Sequence, residues 1–358
     1  MRYARGWKAG ADVITRDVEI ERDGLVVPAS LMLPPSRLGP LPGWIALGGV
    51  TTMGRFHPQL VRFSKALASS GAAVLLPEIP EWRRLTVPPG VTAPTVRACI
   101  AALRKLPEVR QERFGLIGFS FGAPQAAIAA SREELVEHLA GVVLFGGYCC
   151  LERTLICQLT GEHEWKGIDY TLDPDPYGGW VVGSNYVTHV PGHEDASDVA
   201  GALHRLAAAS SGERIPAWDP HHDRMIQDLR RAIPRRRQAL FDLFAVPSTM
   251  QRPARTERIE IAKLLADACR RLEPGLDPAP ELARVTLPTR LVHGRGDRLI
   301  PFTEGLRLMD GLPAAARKGA TVTGLFNHSA DFSPKAMSHR VGERVRMFEA
   351  LRGVINTV

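Results

Sequence analysis

No stretch of this 358-residue chain approaches the ~20 consecutive apolar residues that a membrane-spanning helix needs. The opening MRYARGWKAGADV lacks the apolar core of a secretory signal, so the expectation is a soluble, cytoplasmic protein with no membrane span. Cysteine is scarce and odd in number, at Cys99, Cys149, Cys150, Cys157 and Cys269. No CxxC pair occurs, which removes the common zinc signatures, and a disulfide framework is not expected in a chain of this length. The thiols read as buried small hydrophobes. GxGxxG, Walker and EF-hand patterns are absent, so neither a nucleotide cofactor nor calcium is indicated, and no cofactor or metal is expected. Internal repeats and low-complexity tracts are lacking too.

What is present is an ordinary globular composition, 45% hydrophobic and 23% charged, with a net charge of +7. The arginines are spread along the chain, so the charge reads as solubility and long-range steering. The densest run, Arg230-Arg231 and Arg235-Arg236-Arg237, has no interleaved aromatics and reads as a solvated face; no nucleic-acid partner is expected. Asp219-Pro220-His221-His222-Asp223 and His189, His193, Glu194 and Asp195 are metal-ligand types. Their crowding along the chain suits loops better than one metal ion.

The pattern of apolar runs predicts an α/β fold. Residues 13–22 and 25–33 look extended and are joined by Asp23-Gly24, a strong hairpin signal. Strands are then expected at 44–47, 72–76, 114–119 and 142–145, alternating with helices at 58–70, 95–106 and 121–131. Such alternation implies a mostly parallel sheet with helices on both faces. It stops near residue 149 and resumes with a strand at 289–293, a helix at 303–309, a strand at 320–325 and a helix at 337–352. The expected organisation is a core of residues 1–148 and 286–358 interrupted by a mostly helical lid, residues 149–285.

One pentapeptide carries chemistry: Gly118-Phe119-Ser120-Phe121-Gly122, preceded by an apolar strand and followed by the alanine-rich GAPQAAIAA. A strand–GxSxG–helix order is what a nucleophile elbow requires, with the serine hydroxyl raised above the sheet edge on a sharp turn. The two glycines remove side chains that would strike neighbouring backbone, and the helix N-terminus favours developing negative charge. A serine also needs a base and an acid to orient it. Asp297, in TRLVHGRGDRLIP, follows a predicted strand; His328, in TGLFNHSADF, comes 31 residues later, after the last one. That is the Ser…Asp…His order of this fold. His293 lies inside a predicted strand and reads as packed. The oxyanion hole would take one backbone N–H from Phe121 and one from Val50, with Gly49 as the neighbouring register. Glu78, Glu81, Trp82 and Arg83 follow a strand on the same edge and could touch substrate.

The stretches WIALGGVTTMGR, VLLPEIPEW, GLIGFSFGAPQAA, LVHGRGD and NHS resemble the α/β-hydrolase fold superfamily, and within it the dienelactone-hydrolase-like branch of serine esterases. The resemblance covers roughly residues 12–148 and 286–356. It departs from the pattern in two places: Gly48-Gly49 stands where many members have His-Gly, and the inserted lid is long. Dienelactone hydrolase itself uses cysteine as nucleophile, so Ser120 argues against carrying over that reaction. The resemblance implies a serine hydrolase of a small-molecule carboxylic ester or thioester, working through Ser120, His328 and Asp297. A peptidase, an acyltransferase or a C–C hydrolase on the same triad stays open, as does a silent binding protein and as does homo-oligomerisation.

Overall fold

In the computed structural model, which describes residues 12–36, 39–325 and 341–357, the chain opens with a hairpin. β1 (Ile14–Arg22) and β2 (Leu25–Leu33) pair antiparallel around Asp23 and Gly24, both at positive φ, 49° and 80°. Two successive left-handed residues give the turn a twist that matches the strands. Then follow β3 (Gly43–Leu47), α1 (Pro58–Ser69), β4 (Ala73–Pro77), the single turn α2 (Pro80–Arg83), α3 (Thr92–Arg104), β5 (Phe114–Phe119), α4 (Gly122–Ala130), the turn α5 (Glu133–Val136) and β6 (Leu139–Phe145). After a long intervening segment come β9 (Thr289–Gly294), α12 (Phe302–Gly311), β10 (Arg317–Thr323) and α13 (Val341–Ile355).

The eight strands form one sheet in the order β1-β2-β4-β3-β5-β6-β9-β10, antiparallel at the β1 end and parallel from β4 to β10. This is the expected mostly parallel α/β sheet. Alternate strand residues separate its two faces. Leu31, Ile45, Leu75, Leu116, Val142 and Leu291 point to the face covered by α3, α4 and α12. Met32, Trp44, Val74, Ile117, Val143 and Val292 point to the face covered by α1 and α13. Burial on both faces is why the central strands read as unbroken apolar runs.

The intervening segment contains α6 (Leu151–Thr160), the hairpin β7 (Glu162–Trp165) and β8 (Ile168–Thr171), α7 (Tyr177–Tyr186), α8 (Ser197–Glu213), α9 (Asp223–Ala232), α10 (Arg235–Asp242) and α11 (Arg255–Leu272). Its helices gather their own hydrophobic cluster around Trp180, Leu203, Leu206, Phe241 and Leu265. Glu304, in α12 and 1% exposed, ties the start of this segment to the sheet. Its carboxylate accepts from the N–H groups of Cys149 (3.1 Å) and Cys150 (2.8 Å) and from Arg153 Nε (2.6 Å). The arginine-rich run is largely matched by acids: Arg230 bonds Asp242 at 2.7 Å, Arg237 bonds Asp198 and Asp195, and Arg236 bonds Asp195. Cys99, Cys149, Cys157 and Cys269 are buried free thiols, and burial pushes Cys149 up to about 12. Cys150 is free and half-buried. Among the described residues, no helix is long and apolar enough to cross a membrane, and no group of three or more His, Cys, Asp or Glu could hold a metal ion.

Candidate active site

Ser120 is the first residue beyond β5 and has φ +55°, a left-handed conformation in a non-glycine residue. A side chain there costs about 1–2 kcal/mol in backbone sterics, and the surroundings hold it. The Ser120 N–H donates to Phe145 O on β6 (2.8 Å), and its carbonyl accepts from Ala123 N–H (3.0 Å) as α4 begins. The flanking glycines are enforced by close approach. A Cβ on Gly118 would sit 2.2 Å from Gly122 O, and one on Gly122 would sit 2.3 Å from Gly48 O and 3.0 Å from Leu47 O. The obstacles are backbone and cannot rotate aside. Gly122→Ala is therefore expected to destabilise the protein by about 1–3 kcal/mol, as overpacked cores do, read as a lower urea midpoint with an unchanged slope.

The loop after β3 crosses directly over the serine. An added Cβ on Gly49 would lie 3.1 Å from Ser120 Cβ and 3.4 Å from its Oγ. Val50 follows in that loop, and Phe121 has helical dihedrals (φ −55°, ψ −34°) at the head of α4. Among the described residues, neither the Val50 nor the Phe121 N–H has a hydrogen-bond acceptor.

Asp297 lies in the turn beyond β9 and is 1% exposed. Its Oδ1 accepts from the N–H groups of Leu299 and Ile300, both at 3.0 Å. Its own N–H donates to Gly294 O (3.3 Å). His293 is fully buried at the penultimate position of β9. Its Nε2 is 3.0 Å from Ile300 O, and since a carbonyl only accepts, that nitrogen carries hydrogen. The same Nε2 lies 3.6 Å from Asp297 Oδ2. β5, β6 and β9 are consecutive in the sheet, with Phe119, Phe145 and Val292 in register. Ser120 and Asp297 thus follow the carboxyl ends of two strands, β5 and β9, that lie about 10 Å apart at ordinary strand spacing. His328 lies outside the described residues.

Glu78, Trp82 and Arg83, after β4, pack near this loop and the serine. Glu78 is buried, with Oε1 2.2 Å from where a Gly54 Cβ would be. Arg83 Nη1 and Arg55 Nε approach its Oε2 at 3.6 and 3.9 Å. Burial raises the Glu78 carboxyl above its ordinary value, partly offset by the two arginines. Arg83 Nε donates to Thr52 O (3.2 Å), and Trp82 meets the Phe121 ring edge to face at 5.2 Å. Glu81 instead pairs with Arg22 at 2.5 Å, tying α2 to β1. Of the crowded metal-ligand types, Asp219 Oδ1 caps the His221 N–H (2.9 Å), His221 faces Glu213 (3.0 Å) and Asp223 accepts from Ser248 N–H (2.8 Å).

Two residues that the sequence did not single out reach the same loop. Tyr177, at the start of α7, donates its hydroxyl to Val50 O (2.9 Å). Ser211, in α8, shares a hydrogen bond with Thr51 Oγ1 (2.7 Å) and accepts from the Thr52 N–H (2.9 Å) and hydroxyl (3.1 Å).

No protein-family model matches the chain, and no curated protein matches it by sequence. Among solved structures it is similar to 2,6-dihydroxy-pseudo-oxynicotine hydrolase, at 17% identity and a TM-score of 0.50, covering 96% of this chain and 68% of that one. A dienelactone hydrolase from Anabaena variabilis is similar at 13% identity and a TM-score of 0.46, covering 96% of this chain and 95% of that one. Est1E from Butyrivibrio proteoclasticus, with ferulic acid bound, is similar at 14% identity and a TM-score of 0.48, covering 94% and 99%. The first likeness and the sheet order establish the fold, that of the α/β hydrolases.

Proposed function

We propose that this chain is a serine hydrolase that cleaves a carboxylic ester or thioester through an acyl-enzyme. The observation that carries the reading is the strained Ser120, at φ +55° between a strand and a helix, with its hydroxyl oxygen 3.4 Å from where a Cβ on Gly49 would be. Ser120 Oγ attacks the carbonyl carbon and His328 takes its proton. The N–H groups of Phe121 and Val50 hold the oxyanion, and the N-terminus of α4 adds its partial positive charge. Asp297 keeps the imidazole in the tautomer whose free nitrogen faces Ser120 and stabilises the imidazolium that forms. Collapse of the tetrahedral species expels the alcohol or thiol, protonated by His328. Water activated by the same histidine then releases the acid.

The strands that lead to Ser120 and Asp297 are separated by β6, which leaves room on this edge for an imidazole between the two residues. β10 lies beside β9 and ends on this edge at Thr323. His328 is only three residues past Leu325, within a reach of about 10 Å. The segment from 149 to 285 acts as the cap. Its hydrophobic cluster extends to Val50, Phe121 and Leu299, which supports an apolar acyl group.

The test is intact-mass labelling with a fluorophosphonate, followed by peptide mapping. A single adduct on the peptide containing Ser120 is the expected result, and a well-folded protein with no adduct, also refractory to a smaller sulfonyl fluoride, sinks the reading. His328→Ala is expected to slow labelling by a factor of about 10³ or more, since the hydroxyl then lacks its base. A labelling rate equal to the parent's would remove His328 from the mechanism.

A further inference from the structure

We infer that the cap is part of the oxyanion machinery: Tyr177 and Ser211 are positioning residues that hold the 50–53 loop in the register in which the Val50 N–H faces the reacting carbonyl. The inference rests on the serine-hydrolase reading and adds to it a pair of residues 127 and 160 positions away from the loop they hold.

The loop needs holding because it begins Gly48-Gly49. Two consecutive glycines leave the backbone free to rotate, and ordering them costs more than ordering any other pair. One end is fixed by the sheet, where Gly48 O lies against Gly122. The other end is fixed from the cap. Tyr177 Oη donates to Val50 O at 2.9 Å, which sets the plane of the peptide after Val50. Ser211 Oγ takes the Thr52 N–H at 2.9 Å and the Thr52 hydroxyl at 3.1 Å. Ser211 Oγ and Thr51 Oγ1, 2.7 Å apart, share a further hydrogen bond. Thr51 Oγ1 also accepts from Met53 N–H at 3.3 Å. The Val50 N–H lies in the peptide between the two anchors. Released from the cap anchor, that peptide can turn its N–H away from the serine.

Oxyanion donors act on charge that develops in the transition state. Loss of the clamp therefore lowers kcat and leaves KM nearly unchanged, whereas residues that only line a pocket move KM. Tyr177→Phe removes one oxygen and keeps the ring; Ser211→Ala removes the other hydroxyl; Ser211→Thr restores it. With p-nitrophenyl butyrate, each of the first two variants is expected to lose at least tenfold in kcat with KM within threefold. Fluorophosphonate labelling should slow in parallel, and Ser211→Thr should recover most of the loss. An unchanged kcat with a raised KM overturns the clamp, as does a fall in kcat that tracks a loss of folded protein in urea. A well-folded parent that takes neither the fluorophosphonate nor the smaller sulfonyl fluoride overturns the hydrolase reading and the clamp with it. A parent labelled at Ser120 whose variants label at the parent's rate overturns the clamp alone.

Discussion

Replacing Ser120 with alanine is expected to lower kcat toward a p-nitrophenyl ester by about 10⁴–10⁶-fold and to abolish the fluorophosphonate adduct, without lowering the unfolding midpoint. The size follows from the proposed role of Ser120 as nucleophile. Without the hydroxyl no acyl-enzyme forms, and what survives is the binding and oxyanion stabilisation of a water-mediated reaction, about 10³–10⁴ over the uncatalysed rate. Combining Ser120→Ala with the proposed His328→Ala should cost little more than either alone, because the two act as one unit. A fall of less than tenfold, with label still attached, would place the nucleophile elsewhere.

The same position makes a prediction about stability that separates function from fold. At φ +55°, Ser120 carries the steric cost of a left-handed side chain, about 1–2 kcal/mol. Glycine relieves it, but the unfolded chain gains about 0.5–1 kcal/mol of conformational entropy in return. Strain relief is the larger of the two, so Ser120→Gly should be more stable than Ser120→Ala by about 0.5–1 kcal/mol, and equally inactive. Urea denaturation of the two variants measures the difference. A glycine variant less stable than the alanine variant would mean that the turn is not strained.

Local chemistry decided what could be read from the sequence. The elbow is legible because its constraints are adjacent in the chain: an apolar strand, two glycines forced by backbone approach, and small residues in α4. The Asp23-Gly24 turn is legible for the same reason. The β7–β8 hairpin is not, since its turn, Lys166-Gly167, carries φ +51° on a lysine and lacks the Asn or Asp that signals such turns. β10 begins at Arg317, before the first apolar residue of its run, because an edge strand need not be apolar to pair. Glu304 and the Tyr177–Ser211 pair are invisible for a third reason. A buried carboxylate on a helix, or a tyrosine and a serine on two others, mean nothing until the fold brings them to a backbone 127 to 160 residues away. The acid of the proposed triad lies between these extremes. A glycine-rich turn after a strand marks Asp297, but its full burial and its two N–H donors emerge only in three dimensions.

Those two donors shape the second large effect, at Asp297. Asp297→Asn is expected to lower kcat by about 10⁴-fold while leaving the protein folded. Asparagine keeps an oxygen where Oδ1 accepts the Leu299 and Ile300 N–H groups, so the turn beyond β9 is preserved. What changes is the other end of the side chain. A carboxylate oxygen that accepts becomes an amide that donates, and the proposed base, His328, facing it must present a lone pair and carry its proton on the nitrogen toward Ser120. In that tautomer the imidazole cannot act as base. Asp297→Ala loses the charge and the turn together. It leaves two N–H groups without an acceptor at about 1–3 kcal/mol each if they stay buried, so its activity loss should come with a lower unfolding midpoint. The contrast identifies the role: with asparagine, activity falls and stability holds; with alanine, both fall. If the Asp297→Asn variant kept activity within tenfold of the parent, the carboxylate would be a structural brace of the turn alone, and the acid that orients the histidine would have to come from another strand end of the same edge.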